Sequence, residues 1–166
     1  MVEKDQILKE KVGHSGIFDF GAFYKYAHDW FWDEGYGVIE EKYTEKVSGT
    51  GRNIFIEWEA TKPISDYFKL QVKMKFFIDN LTDVEVEIDG EKKKMNKGTI
   101  TIEIKGYIVK DAANKWEASA WLQFMRNFYN KYVIPARVES MEMKLMGDVQ
   151  EFKDELKAYL ELTGKR

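Results

Sequence analysis

Apolar and charged residues alternate through the middle of the chain, from Tyr36 to Asp111. The clearest run extends from Phe68 to Ile78, where apolar residues at even positions are separated mostly by lysines. Because side chains alternate across a pleated strand, this run predicts a strand with one apolar face and one cationic face. The same period recurs near residues 54–58, 84–88 and 100–105, and such alternation favours antiparallel pairing.

Turn signals divide this region into candidate strands. Asp89-Gly90 predicts a two-residue hairpin, whereas Asn96 to Gly98 and Ser48 to Gly51 predict longer reversals. Residues 5–13 fit either a first strand or a short helical arm, and Gly13 to Gly16 reads as a loop. We therefore expect a curved antiparallel sheet of six to seven strands, at about residues 38–47, 53–61, 67–79, 83–89, 91–95 and 99–110, with the possible strand at 5–13.

An aromatic helix precedes the sheet region. Asp19 is a plausible N-cap, and Gly35 and Gly37 end a helix that reaches about Glu34. At 100° per residue, five positions share one face and are predicted to lie in the core: Phe20, Phe23, Tyr24, Ala27 and Phe31. Trp32 falls on the opposite side, where we expect another element or a partner to cover it.

The hydrophobic period changes to 3.6 after Asp111. Trp121, Met125, Phe128 and Tyr132 share one face, which predicts an amphipathic helix across the apolar face of the sheet. After Pro135, residues 137–166 are predicted to form a helical C-terminal extension with an apolar stripe from Val138 to Tyr159. Gly147 and a capping-box spacing at Asp148 leave open one helix or two. The extension can pack on the domain or pair with a second copy.

Composition limits the classes of function. A chain of 166 residues fits one α+β domain over residues 1–166, and the net charge of -3 gives no basic excess for binding nucleic acid. The chain has no cysteine and no stretch apolar enough for a signal or a membrane span, so we expect a soluble, cytoplasmic protein. The preference for Lys and Glu hints at a hot-living source.

Candidate chemistry is sparse. The two histidines are His14, in the glycine-rich segment, and His28, on the flank of the aromatic helix. His28 and Asp29 lie about 100° apart on a helix, so they do not point at one metal ion. Carboxylate pairs such as Glu57 and Glu59 recur on every strand and single out no acid/base site. The sequence therefore predicts no catalytic residues, no metal and no cofactor, and an enzyme would need the histidines or buried carboxylates to meet in a cleft.

The order of elements resembles the helix-grip fold of START and Bet v 1-like proteins, over roughly residues 5–134. That resemblance implies a cavity between a curved sheet and a long helix that takes an apolar small molecule. The residues alone also predict an apolar pocket, since such pockets are the usual ligand sites. Its candidate lining is Tyr43, Trp58, Phe76, Trp121, Met125 and Phe128; alternatively, these side chains simply fill the core.

A second hypothesis is an interaction or assembly protein. Trp32 and the stripe of the C-terminal extension would form the interface, with Val138, Leu145 and Phe152 as its candidate residues. This hypothesis predicts a homo-oligomer or a protein partner, whereas the first predicts a bound apolar molecule.

Overall fold

The computed structural model describes residues 3–65, 67–110, 121, 124, 125, 128 and 134–164. These residues form an α+β fold with one antiparallel sheet. The elements are β1 (Glu3–Phe18), α1 (Phe20–Asp33), β2 (Gly37–Ser48), β3 (Gly51–Pro63), β4 (Phe68–Ile88), β5 (Glu91–Lys110) and α2 (Ile134–Gly164). The strand order is β1-β5-β4-β3-β2. Neither helix in this part of the chain is long and apolar enough to cross a membrane.

The sheet has five strands within the described residues, not the predicted six to seven. Two pairs of predicted strands are continuous, because β4 and β5 run through a bulge instead of turning. The register shifts between Asp79 and Thr82, and Asn80 has a φ of 55°. A Cβ atom on Gly98 would lie 2.9 Å from the Asp79 carbonyl oxygen, so the glycine lets the two backbones approach at the bulge. The predicted reversal at Asn96 to Gly98 is therefore wrong.

Residues 5–13 belong to a strand, and the predicted loop at Gly13 to Gly16 is wrong. Those four residues continue β1, because each pairs with a residue of β5 from Thr101 to Gly98. The predicted hairpin at Asp89-Gly90 is confirmed, with φ values of 52° and 81°, as a two-residue turn of this kind requires. The reversal between Ser48 and Gly51 is also confirmed.

The sheet has a helix face and an outer face. Even-numbered residues along the central part of β4 and β5 are buried on the helix face, which α1 and α2 cover. The side chain of Asp19 accepts a hydrogen bond from the Ala22 amide at 3.1 Å and so caps α1, as predicted. Phe23 packs edge-on against Phe76 with ring centroids 6.1 Å apart. Trp30 is also buried, although it lies outside the predicted stripe.

The C-terminal helix α2 is one continuous helix of 31 residues that passes through Gly147. Leu145 packs over Gly106 of β5, where a Cβ atom would lie 3.1 Å from its Cδ2. Phe152 contacts Phe31 of α1, with ring centroids 4.6 Å apart. The apolar stripe of α2 therefore packs on the domain. The helix predicted around Trp121 to Tyr132 falls mostly outside the described residues.

Candidate ligand-binding cleft

Two of the predicted ligand-lining residues lie in the core. Trp58 and Phe76 are 2% and 1% exposed, and their ring centroids are 4.8 Å apart. Tyr24 of α1 packs edge-on against Trp58 at 5.1 Å. These rings pack against one another between the sheet and α1, and Trp58 also lines a groove of about 340 Å³ on the outer face. Tyr43 lies on the edge strand β2, opposite Ile56 of β3, and is partly exposed.

The other three predicted ligand-lining residues are described only individually. Trp121 and Phe128 are exposed, and Met125 is partly buried. Many of their neighbours in sequence lie outside the described residues. A single pocket that unites all six predicted residues therefore stays a prediction.

The predicted interface residues also divide into two groups. Leu145 and Phe152 are completely buried inside the chain's own core, and Val138 is packed against it. Trp32 is 66% exposed, on the side of α1 away from the sheet. Of the four residues, Trp32 is thus the one with the most exposed side chain.

A different site lies where the two helices approach the β4–β5 hairpin. An open cleft of about 490 Å³ is present here, and we call it the end cleft. Ligand pockets in proteins typically enclose about 300–1,000 Å³, so the end cleft is large enough for a small molecule. Its lining residues come from α1, from the hairpin and from the last turns of α2: Asp19, Ala22, Ile88, Lys93, Lys94, Met95, Tyr159 and Leu162.

The walls of the end cleft are held by contacts between distant parts of the chain. The amide of Phe20, at the start of α1, donates a hydrogen bond to Asn96 Oδ1 of β5 at 2.9 Å. Tyr159 of α2 stacks on Tyr26 of α1, with centroids 4.5 Å apart and an angle of 9° between the rings. The hairpin and both helices therefore keep a fixed relation around the cleft.

The surface of the end cleft combines apolar and cationic groups. Met95 is buried, whereas Leu162 is 64% exposed, which is a large exposure for a leucine beside a cleft. Lys93 and Lys94 are exposed, and within the described part of the chain neither forms an ion pair. An apolar surface beside unpaired cations suits a molecule with an apolar body and a negative group.

Tyr159 adds a hydrogen-bond donor to this surface. Burial raises the pKa of Tyr159 above its ordinary value, and the negative charge of Asp19 raises that pKa further. The phenol therefore stays neutral at physiological pH and keeps its proton. A neutral hydroxyl can donate a hydrogen bond to a carboxylate or to another acceptor.

Few features of the sequence predict this site. The run from Lys92 to Lys94 is typical of a solvated hairpin tip, and Tyr159 belongs to the apolar stripe predicted for the C-terminal extension. The bulge at Asn80 and Gly98 lies in β4 and β5, the two strands whose hairpin forms one wall of the end cleft. The cleft also depends on contacts between residues far apart in sequence, such as Phe20 and Asn96. An exposed leucine near the end of a helical stripe, such as Leu162, was the available signal.

The two histidines form no metal site in the described part of the chain. Residues there include no group of three or more His, Asp or Glu side chains placed to hold a metal ion. His28 Nδ1 lies 3.6 Å from Asp29 Oδ1, and its ring packs edge-on against Trp58 at 6.0 Å. The buried Nε2 atom of His14 has no hydrogen-bond partner among the described residues. Neither arrangement indicates a catalytic role.

No protein-family model matches this chain, and no curated protein matches its sequence significantly.

Proposed function

We propose that the protein binds a small molecule with an apolar body and an anionic group in the end cleft. The observation that carries this proposal is the combination of an apolar space of about 490 Å³ with two exposed lysines on its rim, Lys93 opposite Val86 and Lys94 opposite Glu85. A fatty acid of medium chain length has both features. Its carboxylate would lie near Lys93 and Lys94, and its chain would cover Met95 and Leu162.

Both parts of such a ligand contribute to binding. Apolar surface removed from water contributes about 25 cal/mol per Å², so covering the exposed side chain of Leu162 favours an alkyl chain. The lysines attract the carboxylate, and because they remain in contact with water the charge keeps most of its hydration. The alkyl chain therefore supplies most of the affinity, and the lysines supply the preference for an anion.

The resemblance to the helix-grip fold is a separate proposal. We propose that fold on the order of elements over roughly residues 5–134, supported by the antiparallel sheet with α1 packed on one face. In that fold a ligand lies between the sheet and the long helix. The end cleft is a different place, because part of its wall comes from the last turns of α2, which lie beyond those residues.

Calorimetric titration with decanoate tests the proposal. We expect saturable binding at one site, and we expect Leu162→Glu to weaken it about tenfold or more, since the change removes apolar surface and adds a negative charge. Met143→Glu is the matched control, because Met143 is 67% exposed on the same helix and does not line the end cleft. Equal binding by both variants would contradict the proposal.

The role of the lysines has its own test. The double variant Lys93→Gln/Lys94→Gln should bind decanoate several-fold more weakly, whereas its affinity for uncharged decanol should change little. The control is Lys42→Gln/Lys46→Gln, which removes two exposed lysines from β2. If both pairs weaken decanoate binding equally, the lysines act through overall charge and not at the cleft.

Assembly through Trp32 is a second candidate function. The exposure of 66% for this indole favours it, since a large aromatic side chain in water is typical of an interface. Sedimentation velocity on the wild type and on Trp32→Glu tests it. A concentration-dependent dimer that Trp32→Glu abolishes would support assembly, and a monomer in both proteins would contradict it.

A further inference from the structure

Three lysines stand side by side on the outer face of the sheet. Lys9 of β1 pairs with Lys105 of β5, and Lys105 pairs on its other side with Lys73 of β4. Neighbouring strands lie about 4.8 Å apart, so the three Cα positions span roughly 10 Å. Like charges directly opposite each other destabilise a sheet. We call these three residues the lysine row.

In the neighbouring row of the same face, opposite charges alternate from strand to strand. Lys11, Glu103, Lys75 and Glu57 pair in that order across β1, β5, β4 and β3, so each charge has an opposite charge beside it. The pattern continues to Lys42 of β2. Alternation of charge is thus the rule two residues away, and the lysine row departs from it.

The lysine row has acidic neighbours at one end. Lys73 has Glu59 as its partner on β3, and the charges of Glu59 and Glu41 both act on Lys73, although none of the three lysines forms an ion pair within this part of the chain. The side chain of Lys4 approaches the same place, with its Nζ 4.6 Å above the ring of Tyr107. Burial lowers the pKa of Lys4, and the contact with Lys73 lowers it further. Four lysines therefore lie close together here, namely Lys4 and the three residues of the lysine row.

Part of the lysine row lines a groove on the outer face. The groove has a volume of about 340 Å³, and Lys73, Lys105 and Tyr107 are among its lining residues. Lys75, Glu41, Glu57 and Glu103 line the same groove. Glu57 and Glu103 belong to the alternating row, where each has a lysine beside it, so their charge is offset there. A long polyanion would meet all these carboxylates, whereas a compact anion can lie against the lysine row.

We propose that the lysine row binds a compact oxyanion with two or more negative charges, namely the phosphate group of a small molecule. Long lysine side chains from three adjacent strands can converge on one phosphate, whose oxygens accept several charge-assisted hydrogen bonds. Binding would relieve the repulsion within the lysine row. The site is separate from the end cleft and does not depend on the function proposed there.

Calorimetric titration in low-salt buffer tests the site, with inorganic phosphate, pyrophosphate and glycerol 2-phosphate as probes. We expect saturable binding at one site, and Lys73→Gln/Lys105→Gln should weaken it about tenfold or more. Lys46→Gln/Lys92→Gln is the matched control, since both lysines are exposed and neither belongs to the lysine row. The control should stay within about twofold of the wild type. Tighter binding of glycerol 2-phosphate than of inorganic phosphate would identify a phosphorylated molecule as the ligand.

Binding measurements on the same variants can also contradict the proposal. Equal weakening by both double variants, or no saturable binding of any probe, would overturn it, as would tighter binding of the polyanion heparin than of pyrophosphate. Without phosphate, Lys73→Gln/Lys105→Gln should melt at the wild-type temperature or above it, because repulsion is removed. If that variant fails to fold, Lys9→Gln on the exposed edge strand β1 provides the same comparison.

Discussion

A buried hydrogen bond between Tyr36 and Asp148 holds the C-terminal helix to the rest of the chain. The Tyr36 hydroxyl donates to Asp148 Oδ2 at 2.9 Å, and the two residues are 1% and 8% exposed. Tyr36→Phe would leave the carboxylate with Lys144 as its partner, at 3.6 Å. Because hydrogen bonds to charged groups contribute about 1.5–3 kcal/mol, we expect a loss of about 2 kcal/mol in the free energy of unfolding.

Thermal and urea unfolding measure this loss. For a chain of this size, about 2 kcal/mol corresponds to a melting temperature lowered by about 4–8 °C. Tyr43→Phe is the control, since Tyr43 is 43% exposed on β2, and its free energy of unfolding should change by less than about 0.5 kcal/mol. A loss for Tyr36→Phe no larger than that of the control would refute the reasoning that this bond anchors α2.

Three further predictions concern pH and glycine. Burial and the nearby Asp148 raise the pKa of Tyr36. Burial and a hydrogen bond to Glu40 raise the pKa of Tyr24 to about 12. Both phenols therefore keep their protons to a higher pH in the folded state than in the unfolded state. Stability should therefore fall as the pH rises above the ordinary tyrosine pKa of about 10, and urea unfolding at several pH values should show a smaller fall for Tyr36→Phe. Gly98→Ala should lower the free energy of unfolding by about 1–3 kcal/mol, because the added Cβ would lie 2.9 Å from the Asp79 carbonyl oxygen. Urea unfolding measures this loss. An unchanged urea midpoint would contradict the geometry of the bulge. Gly147→Ala should raise the free energy of unfolding by up to about 1 kcal/mol, since none of the described residues would lie within 4 Å of the added Cβ of this helical glycine. A lower urea midpoint would show that the added Cβ meets a contact there.

Local patterns predicted the elements that depend on neighbouring residues. Alternation predicted β3 and the main part of β4, because burial on one face imposes a period of two along each strand. Asp19 was recognised as an N-cap, since its side chain satisfies the backbone of its own helix. Asp89-Gly90 was recognised as a turn, because its geometry is set by those two residues.

Features that depend on pairing between distant residues were missed. Gly98 looked like part of a turn, and its actual role is to allow a bulge opposite Asn80, which only the β4–β5 register reveals. The lysine row was missed for the same reason. Lys9 meets Lys105 because β1 shifts register between Gln6 and Leu8, and no local signal fixes that shift. The end cleft likewise requires the positions of the hairpin and both helices together.

The measurement that tests the proposed function most directly is a titration with decanoate followed by NMR of methyl groups. We expect the methyl signals of Ile88, Met95 and Leu162 to shift saturably with one common dissociation constant, while those of Leu145 in the core stay unchanged. No saturable shift at these three residues would contradict binding in the end cleft. Shifts confined to residues around Trp58 would contradict it equally, because they would place the ligand between sheet and helix in the space that aromatic rings fill.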